Sequence, residues 1–437
     1  MVELAHALRR RSLSPLELAG SYLARIEAGG RLHAFITPPG QPALRQARKA
    51  AERLARRESG ALLGVPVAIK DLFATRGLRT TGGSKVLSDW VPSRDATAVA
   101  RLRAAGAVIF GKTNLHEFAY GVTNANPWWG IARNPRDETR IPGGSSGGSA
   151  IAVAAGMAAA ALGTDTGGSI RIPASLCGCV GLKPTYGAIP LDGTIPLGWS
   201  LDHAGPITRT VDDAGVLFDV LSGADSWGRA RRRGPTVVRN TRVGVLRTGL
   251  VQPCERSIVD ALEAAAATLS RRGVRVREVA LAELDWTVAT QLITLRAEAA
   301  AVHARWFAER PRAYGPEVRV RLQLGALVSG ADYVLAQRMR NRIREALRRI
   351  FQTVDLLLLP TTPVRATPLG ERTVRWRTGV EPVDGALVRL TAPFNLTGAP
   401  ALSVPAPTPG LPIGLQIVGR WNDEAGVLSL GRLLEDQ

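Results

Sequence analysis

The sequence predicts an α/β fold in which a mostly parallel β-sheet is covered by helices on both faces. Short apolar runs at residues 64–69 and 107–111 are rich in β-branched residues, as is typical of buried strands. Helical patterns at residues 41–57 and 98–105 alternate with these runs, and such alternation is typical of parallel strands joined by helices. With 437 residues, the chain is long enough to bury such a core without disulfides.

The N-terminal half contains a clear helix start at Ser14. Ser14 and Glu17 form a capping box, and Pro15 suits the first helical position. The N-terminal segment has neither the apolar stretch nor the cleavage site of an export signal, so we expect none. Residues 149–162 predict a core helix of small residues, and loops are expected to dominate residues 164–206.

The C-terminal half repeats the α/β pattern after an arginine-rich segment, which is predicted to be a surface linker. Periodicity leaves open whether this half is a separate domain or completes one large sheet. The predicted elements are the linker at 225–242, strands at 243–246 and 354–360, a hairpin of strands 401–405 and 411–418 around residues 407–410, and helices within 253–272, 284–310 and 332–351.

Composition limits the classes of function. The formal net charge of +19 raises the question of a nucleic-acid or acidic membrane partner. The excess is arginine scattered along helices such as residues 338–349, which is typical of a solvated face, so nucleic-acid binding is not expected as the main function. The sequence has no run of 18 apolar residues, so no membrane span is expected. Three cysteines cannot form a closed set of disulfides, which predicts a reducing, cytoplasmic location.

Lysine is scarce in this chain. Among 56 basic residues only five are lysines, at positions 49, 70, 85, 112 and 183. Burial can make an ammonium lose its proton near neutral pH, whereas a guanidinium stays charged. Lys70 follows a predicted buried strand, so it is a candidate general base. An ion pair between Lys70 and the adjacent Asp71 is an equally good interpretation of this residue alone.

Two glycine-rich loops contain serines, at residues 143–149 and 164–169. Such loops also bind phosphate, but the first lacks the lysine of the nucleotide-binding motif, and a purely structural loop is a further alternative. The second loop can direct consecutive amide N–H groups to one point, as an oxyanion requires. The candidate oxyanion donors are the amides of Thr166, Gly167, Gly168 and Ser169.

A hydroxyl nucleophile needs a base, and the five histidines have no recognisable triad arrangement. We expect His116 and His203 to be structural. Lys70 remains, and to act as a base its pKa must fall from about 10.4 toward 7 or 8. Burial behind residues 65–69, with Arg171 nearby, is expected to lower it.

These residues resemble the amidase signature family, the serine hydrolases with a Ser, cis-Ser, Lys triad. The similarity covers residues 10–220 most strongly and continues more weakly through residues 360–363, 395–398 and 410–416. The motifs that carry it are GVPVAIKD at 64–71, GKTN at 111–114, PGGSSGGS at 142–149, GTDTGGSIRIP at 163–173 and GLKPT at 181–185.

The resemblance implies one domain over residues 1–437, with a large central mixed sheet between helices. Residues 1–225 would carry the catalytic motifs, and residues 226–437 would complete the sheet and the substrate pocket. It also implies roles for the motif residues. These are Ser169 as nucleophile, Ser145 as bridging serine after a cis peptide bond, Lys70 as general base, Ser146 as a support of the loop, and Asp165 and Arg171 as residues that order the oxyanion loop.

The substrate is less well determined. In the family the pocket is formed partly by the loop after Lys112 and by the stretch before residue 201. Each tryptophan in these segments can equally be part of the core. The candidate pocket residues are Ala119, Tyr120, Gly121, Trp128, Trp129 and Trp199.

The sequence favours a stand-alone amidase that cleaves a small or aryl amide, with carbamates (urethanes), ureas and esters as further substrates. The alternative is the A subunit of a tRNA-dependent glutamine amidotransferase, which releases ammonia from glutamine. Val388 aligns where that branch carries an acidic residue for the glutamine amino group, which disfavours glutamine. A basic nucleic-acid-binding or inactive scaffold is a third hypothesis.

The expected partner is therefore a small molecule, and a homodimer is left open. No metal or organic cofactor is expected, because no residues have metal-ligand spacing.

Overall fold

The structure is a computed structural model that describes residues 1–233 and 241–435. The helices are α1 (Val2–Arg9), α2 (Pro15–Ala28), α3 (Gln41–Ala55), α4 (Thr97–Ala104), α5 (Gly147–Ala154), α6 (Arg171–Cys177), α7 (Val211–Ser222), α8 (Ser226–Arg233), α9 (Arg256–Arg271), α10 (Thr287–Glu309), α11 (Pro316–Gly325), α12 (Gly330–Thr353), α13 (Val383–Arg389), α14 (Ala392–Thr397) and α15 (Glu424–Glu435). The strands are β1 (Phe35–Thr37), β2 (Pro66–Lys70), β3 (Val108–Thr113), β4 (Ala125–Asn126), β5 (Gly130–Ile131), β6 (Ala160–Asp165), β7 (Val180–Lys183), β8 (His203–Thr208), β9 (Arg242–Leu246), β10 (Arg275–Val279), β11 (Leu356–Pro360), β12 (Thr373–Trp376), β13 (Gly379–Pro382), β14 (Ala401–Pro405) and β15 (Gly414–Gly419).

One eleven-stranded sheet dominates the fold, in the order β1-β3-β2-β6-β8-β7-β14-β15-β11-β9-β10. Parallel pairs join β2 to β3 and β6, and β9 to β10 and β11. The other neighbours are antiparallel. The mixed sheet implied by the resemblance is confirmed, whereas the mostly parallel sheet predicted from the alternation is wrong. The alternation fails in the middle of the sheet, where the successive pairs from β6 through β8, β7, β14 and β15 to β11 are all antiparallel.

Helices cover both faces of this sheet. Along β2, Val67 and Ile69 pack into a core cluster with residues of α2, α3, α4 and α7, whereas Ala68 packs with residues of α5 and α6. Successive residues of a strand point to opposite faces, so the two clusters lie on opposite sides of the sheet. Lys70 shares the face of Ala68 and is therefore directed toward α5.

Several local predictions are confirmed. Leu16 donates its amide to Ser14 Oγ at 3.2 Å and Ser14 donates to Glu17 Oε2 at 3.0 Å, which forms the capping box at the start of α2. The predicted hairpin is the antiparallel pair β14–β15. Among the described residues, no helix combines the length and the apolar character that crossing a bilayer requires.

Three predictions about elements are wrong or incomplete. The helix predicted over residues 149–162 ends at Ala154, and β6 then begins at Ala160, because packing between β2 and β8 overrides the helix propensity of alanine. The segment 164–206 contains, in addition to the predicted loops, α6, β7 and the first four residues of β8. The segment 225–242 begins with α8, whose Trp227 is buried, while its residues 234–240 lie outside the described residues.

Candidate active site

Lys70 is the last residue of β2, and its side chain is fully buried. Its Nζ donates hydrogen bonds to Ser145 Oγ at 2.7 Å, Ser146 Oγ at 2.9 Å and Thr164 Oγ1 at 2.7 Å. Thr164 lies in the neighbouring strand β6, and the two serines lie just before α5. The carboxyl ends of β2 and β6 and the start of α5 therefore meet at the lysine nitrogen.

Burial lowers the pKa of Lys70 well below its ordinary value, although the negative charges of Asp165 and Asp202 oppose this effect. The alternative pair between Lys70 and Asp71 is wrong. Asp71 lies 3.2 Å from Lys112 Nζ and accepts from the amide and hydroxyl of Thr81. The expected effect of Arg171 on Lys70 is also not seen, so desolvation alone accounts for the lowered pKa.

The first glycine-rich loop has a cis peptide bond between Gly144 and Ser145. The carbonyl of Ser145 accepts from the amide of His116 at 3.2 Å. Ser146 donates its amide to the carbonyl of Ser169 at 3.2 Å and its hydroxyl to the carbonyl of Thr164 at 3.0 Å. These bonds join the loop to β6 and to the second glycine-rich loop.

Glycine is required in the first loop by close packing. A Cβ on Gly148 would lie 2.4 Å from the carbonyl oxygens of both Ala34 and Asn114. These are backbone atoms that cannot rotate away, so any larger residue would push α5 from its place beside the sheet.

Ser169 lies in the second loop and is only 3% exposed. Within the described ranges, the amide N–H groups of Thr166, Gly167 and Ser169 have no hydrogen-bond acceptor. The amide of Gly168 instead donates to Asp165 Oδ1 at 2.7 Å. The motif predicts Gly168 as an oxyanion donor, but its N–H is already used. The loop therefore offers three uncommitted donors, from Thr166, Gly167 and Ser169.

A buried ion pair anchors this loop. Arg171 and Asp165 are both fully buried and 2.8 Å apart. All five guanidinium N–H groups donate, two of them to Asp165 and the others to Thr391 O, Gln416 Oε1 and Asn395 Oδ1. Burial would raise the pKa of Asp165, but the charge and hydrogen bonds of Arg171 hold it below its ordinary value. The pair thus ties the loop to residues more than 200 positions away.

Replacing Arg171 should therefore be costly. Arg171→Met should lower the free energy of unfolding by about 3–5 kcal/mol, because Asp165 would remain buried without a counter-charge. Urea denaturation measures this change. The matched control is Arg31→Met, which breaks the exposed pair with Glu138 and should cost about 1 kcal/mol or less. Equal losses in the two variants would contradict the account.

The six candidate pocket residues are in different environments. Tyr120 is buried, and burial raises the pKa of its hydroxyl to about 12. Trp128 donates to the buried Glu117 at 2.9 Å. Arg79 lies over the ring of Trp129, 5.0 Å from its centroid. Trp199 is 48% exposed. Tyr120 and Trp129 belong to, or pack against, one apolar cluster.

The remaining two candidates belong to the loop that supports Ser145. Ala119 has a left-handed φ of 61°. Gly121 packs so closely on His116 that a Cβ there would lie 2.3 Å from the imidazole ring. His116 in turn donates its amide to Ser145. The assignment of all six residues to a substrate pocket stays a prediction.

Gln291 and Val388 lie beside the second glycine-rich loop, although no sequence pattern predicts that they contact it. A Cβ on Gly167 would be 2.9 Å from Gln291 Nε2 and 3.9 Å from Val388 Cγ1. Gln291 is 5% exposed, and its side-chain amide has no hydrogen-bond partner in the part of the chain that the structure describes. It lies on α10 and Val388 on α13, so only tertiary structure brings them to the loop.

The fold and the site together define an α/β protein in which a buried lysine contacts a serine beside a loop of uncommitted amide donors. Comparison with known proteins identifies the family. The family described as Amidase matches residues 17–428. The chain belongs to the amidase family, and is an amidohydrolase that acts on C–N bonds.

Similar proteins cover almost the whole chain. The A subunit of the glutamyl-tRNA(Gln) amidotransferase of Roseiflexus sp. (strain RS-1) is 41% identical over 97% of this chain and 93% of that protein. A solved structure described as an amidase is 39% identical, with a TM-score of 0.93, over 99% of this chain and 98% of the other. The corresponding A subunit from Thermotoga maritima, also a solved structure, is 33% identical, with a TM-score of 0.79, over 98% and 95% of the two chains.

Proposed function

We propose that the chain hydrolyses an amide through an acyl-enzyme on Ser169, with Ser145 and Lys70 as the proton relay. The observation that carries this proposal is the 2.7 Å hydrogen bond between the buried Lys70 Nζ and Ser145 Oγ. A lysine desolvated to this extent is driven toward its neutral form, which can accept a proton. A cytoplasmic location remains part of the proposal.

The mechanism follows from this relay. Neutral Lys70 takes a proton from Ser145 while Ser145 takes one from Ser169, whose Oγ attacks the amide carbon. The oxyanion is stabilised by the amides of Thr166, Gly167 and Ser169. When the C–N bond breaks, the proton returns along the relay to the departing nitrogen. Water, activated by the same relay, then attacks the acyl-enzyme and releases the acid.

Glutamine is the first candidate substrate. The curated relatives support it, since proteins named as A subunits of glutamyl-tRNA(Gln) amidotransferases are 37–41% identical to this chain. In this version the chain releases ammonia from glutamine and works with partner proteins and tRNA. The relatives thus favour this function over the stand-alone amidase that the sequence patterns predict.

A stand-alone amidase is the second candidate. The residues found beside Gly167 favour it, because Gln291 and Val388 are uncharged. An uncharged wall suits a neutral acyl group better than the ammonium and carboxylate groups of glutamine. Solved structures described as an amidase, with a TM-score of 0.93, and as an aryl acylamidase, with a TM-score of 0.89, agree with this version.

A substrate panel separates the two candidates. The purified chain is given glutamine, an aryl amide, an aryl carbamate and an aryl ester, each with wild type and Ser169→Ala. Ammonia release from glutamine supports the first candidate, and turnover of the aryl amide by the chain alone supports the second. A wild-type protein that is inert toward a fluorophosphonate and retains RNA would refute both and support the scaffold hypothesis.

A further inference from the structure

Asp202 is a buried carboxylate that the proposed mechanism does not use. Its Oδ1 accepts a hydrogen bond from Thr166 Oγ1 at 2.6 Å. It also accepts the amides of Leu197 at 2.9 Å and Gly198 at 3.2 Å. Three donors therefore converge on one carboxylate, an arrangement that stabilises its charged form.

The sheet register explains why Asp202 reaches this loop. In the antiparallel pair β6–β8, Asp165 lies opposite His203. The next residue of the first strand is Thr166, and the preceding residue of the second is Asp202, so the two continue the ladder where the strands end. Thr166 is also the first of the three residues with an uncommitted amide. Its hydroxyl bond to Asp202 thus fixes one end of the oxyanion loop.

Thr164, two residues before Thr166 and within β6, contacts Lys70 on the same side of the chain. Thr164 accepts from Lys70 and Thr166 donates to Asp202. Residues two apart in an extended chain point to the same side, about 6–7 Å from one another. The intervening Asp165 points the other way, toward Arg171. Alternate residues of one segment therefore hold the lysine nitrogen and the Asp202 carboxylate on the same side.

We propose that Asp202 is a positioning residue that holds the Thr166 end of the oxyanion loop and whose negative charge stabilises the ammonium form of Lys70. The inference rests on the proposed function of Lys70. Neither role is visible in the sequence patterns, which assign no role to Asp202.

Other charged or titratable groups lie near Lys70 and Asp202. Asp165 on β6 is paired with Arg171, and its charge, like that of Asp202, raises the pKa of Lys70. Glu298 on α10 accepts from Ser200 and from Tyr333 of α12, and Arg340 of the same helix donates to Ser200. Lys183 on β7 donates to its neighbouring carbonyl, and His203 on β8 contacts the carbonyl of Leu201; burial lowers the pKa of both groups well below their ordinary values.

Burial raises the pKa of Asp202 to about 6, against the pull of its hydrogen bonds. Above that pH the carboxylate carries its charge. A nearby negative charge favours protonated lysine, so removing it should let Lys70 become neutral at lower pH. Two near-isosteric variants separate the charge from the hydrogen bond. Asp202→Asn removes the charge, whereas Thr166→Val removes the donor and leaves the charge.

The test is the pH dependence of the rate at which a fluorophosphonate labels Ser169, which needs no knowledge of the substrate. The wild-type rate should rise with pH as Lys70 loses its proton. In Asp202→Asn this rise should occur at lower pH. In Thr166→Val it should occur at the wild-type pH, with a plateau at least about tenfold lower, because a hydrogen bond to a charged group is lost.

A pH profile of Asp202→Asn that coincides with wild type, or an equal shift in Thr166→Val, would overturn the inference. A purely structural role would lower the urea midpoint and leave the profile in place. If Asp202→Asn does not fold, Asp202→Ser, which also removes the charge, replaces it in the same comparison. Absence of wild-type labelling would refute the proposed function itself, whereas labelling with coincident profiles would refute only the role of Asp202.

Discussion

Ser169→Ala should lower kcat/KM by about 10⁴- to 10⁶-fold, as removal of a serine nucleophile does in other hydrolases. The variant keeps the oxyanion loop, since the amides of Thr166 and Gly167 do not depend on the side chain of residue 169. It loses Ser169 Oγ, the atom that forms the bond to the acyl carbon in the proposed mechanism. Steady-state kinetics on whichever substrate of the panel is cleaved, together with fluorophosphonate labelling, measure the effect.

The matched control is Ser149→Ala. Ser149 belongs to the same glycine-rich stretch as Ser145 and is equally buried, but its hydroxyl pairs with Thr113 Oγ1 at 2.7 Å and with the carbonyl of Leu162. This variant should retain labelling and activity within about tenfold, the effect of losing one or two structural hydrogen bonds. Full labelling of Ser169→Ala would contradict the assignment of the nucleophile.

Lys70→Arg should lower kcat/KM by about 10³- to 10⁴-fold, the contribution that a positioned general base makes. Arginine keeps a positive charge beside Ser145 but does not lose its proton at any working pH. The result therefore separates a requirement for charge from a requirement for a base. Kinetics as a function of pH measure it, because wild-type activity should fall as pH drops and Lys70 becomes protonated.

Two further variants control this prediction. Lys70→Met, which has a similar length and no charge, should lose as much activity, since it also lacks a base. Lys49→Arg changes an exposed lysine and should behave as wild type. The urea midpoint of each variant shows whether the fold is kept. Near-normal activity of folded Lys70→Arg would exclude the lysine as a base.

The sequence contains enough to propose the triad but less to predict what supports it. Lysine is scarce in this chain, and Lys70 follows a predicted buried strand. In the structure, Lys70, Lys112 and Lys183 are fully buried. Glycine spacing locates Ser145 and Ser169. These are local signals, because each depends on residues adjacent in the chain.

The supports of the oxyanion loop could not be predicted in this way. Arg171 contacts Thr391 and Gln416, which are 220 and 245 positions away, and such pairs leave no periodic pattern. The commitment of the Gly168 amide to Asp165 depends on the loop conformation, with φ of 135° at that glycine. The motif predicts four donors, whereas the conformation leaves three.

The errors in the fold have a similar cause. Alanine-rich residues 150–162 favour a helix by propensity, but their second part is a central strand because it packs between β2 and β8. The alternation of elements predicts parallel strands, and it holds at β2, β3 and β6. It fails at β7 and β14, which pair antiparallel to each other although they are far apart in sequence.

The most direct test of the central claim is to label the wild-type protein with a fluorophosphonate, digest it and locate the adduct by mass spectrometry. The account predicts one adduct per chain, on the peptide containing Ser169, formed more slowly at low pH where Lys70 is protonated. An adduct on Ser145 or Ser146, or labelling whose rate does not depend on pH, would contradict the relay from Ser169 through Ser145 to Lys70.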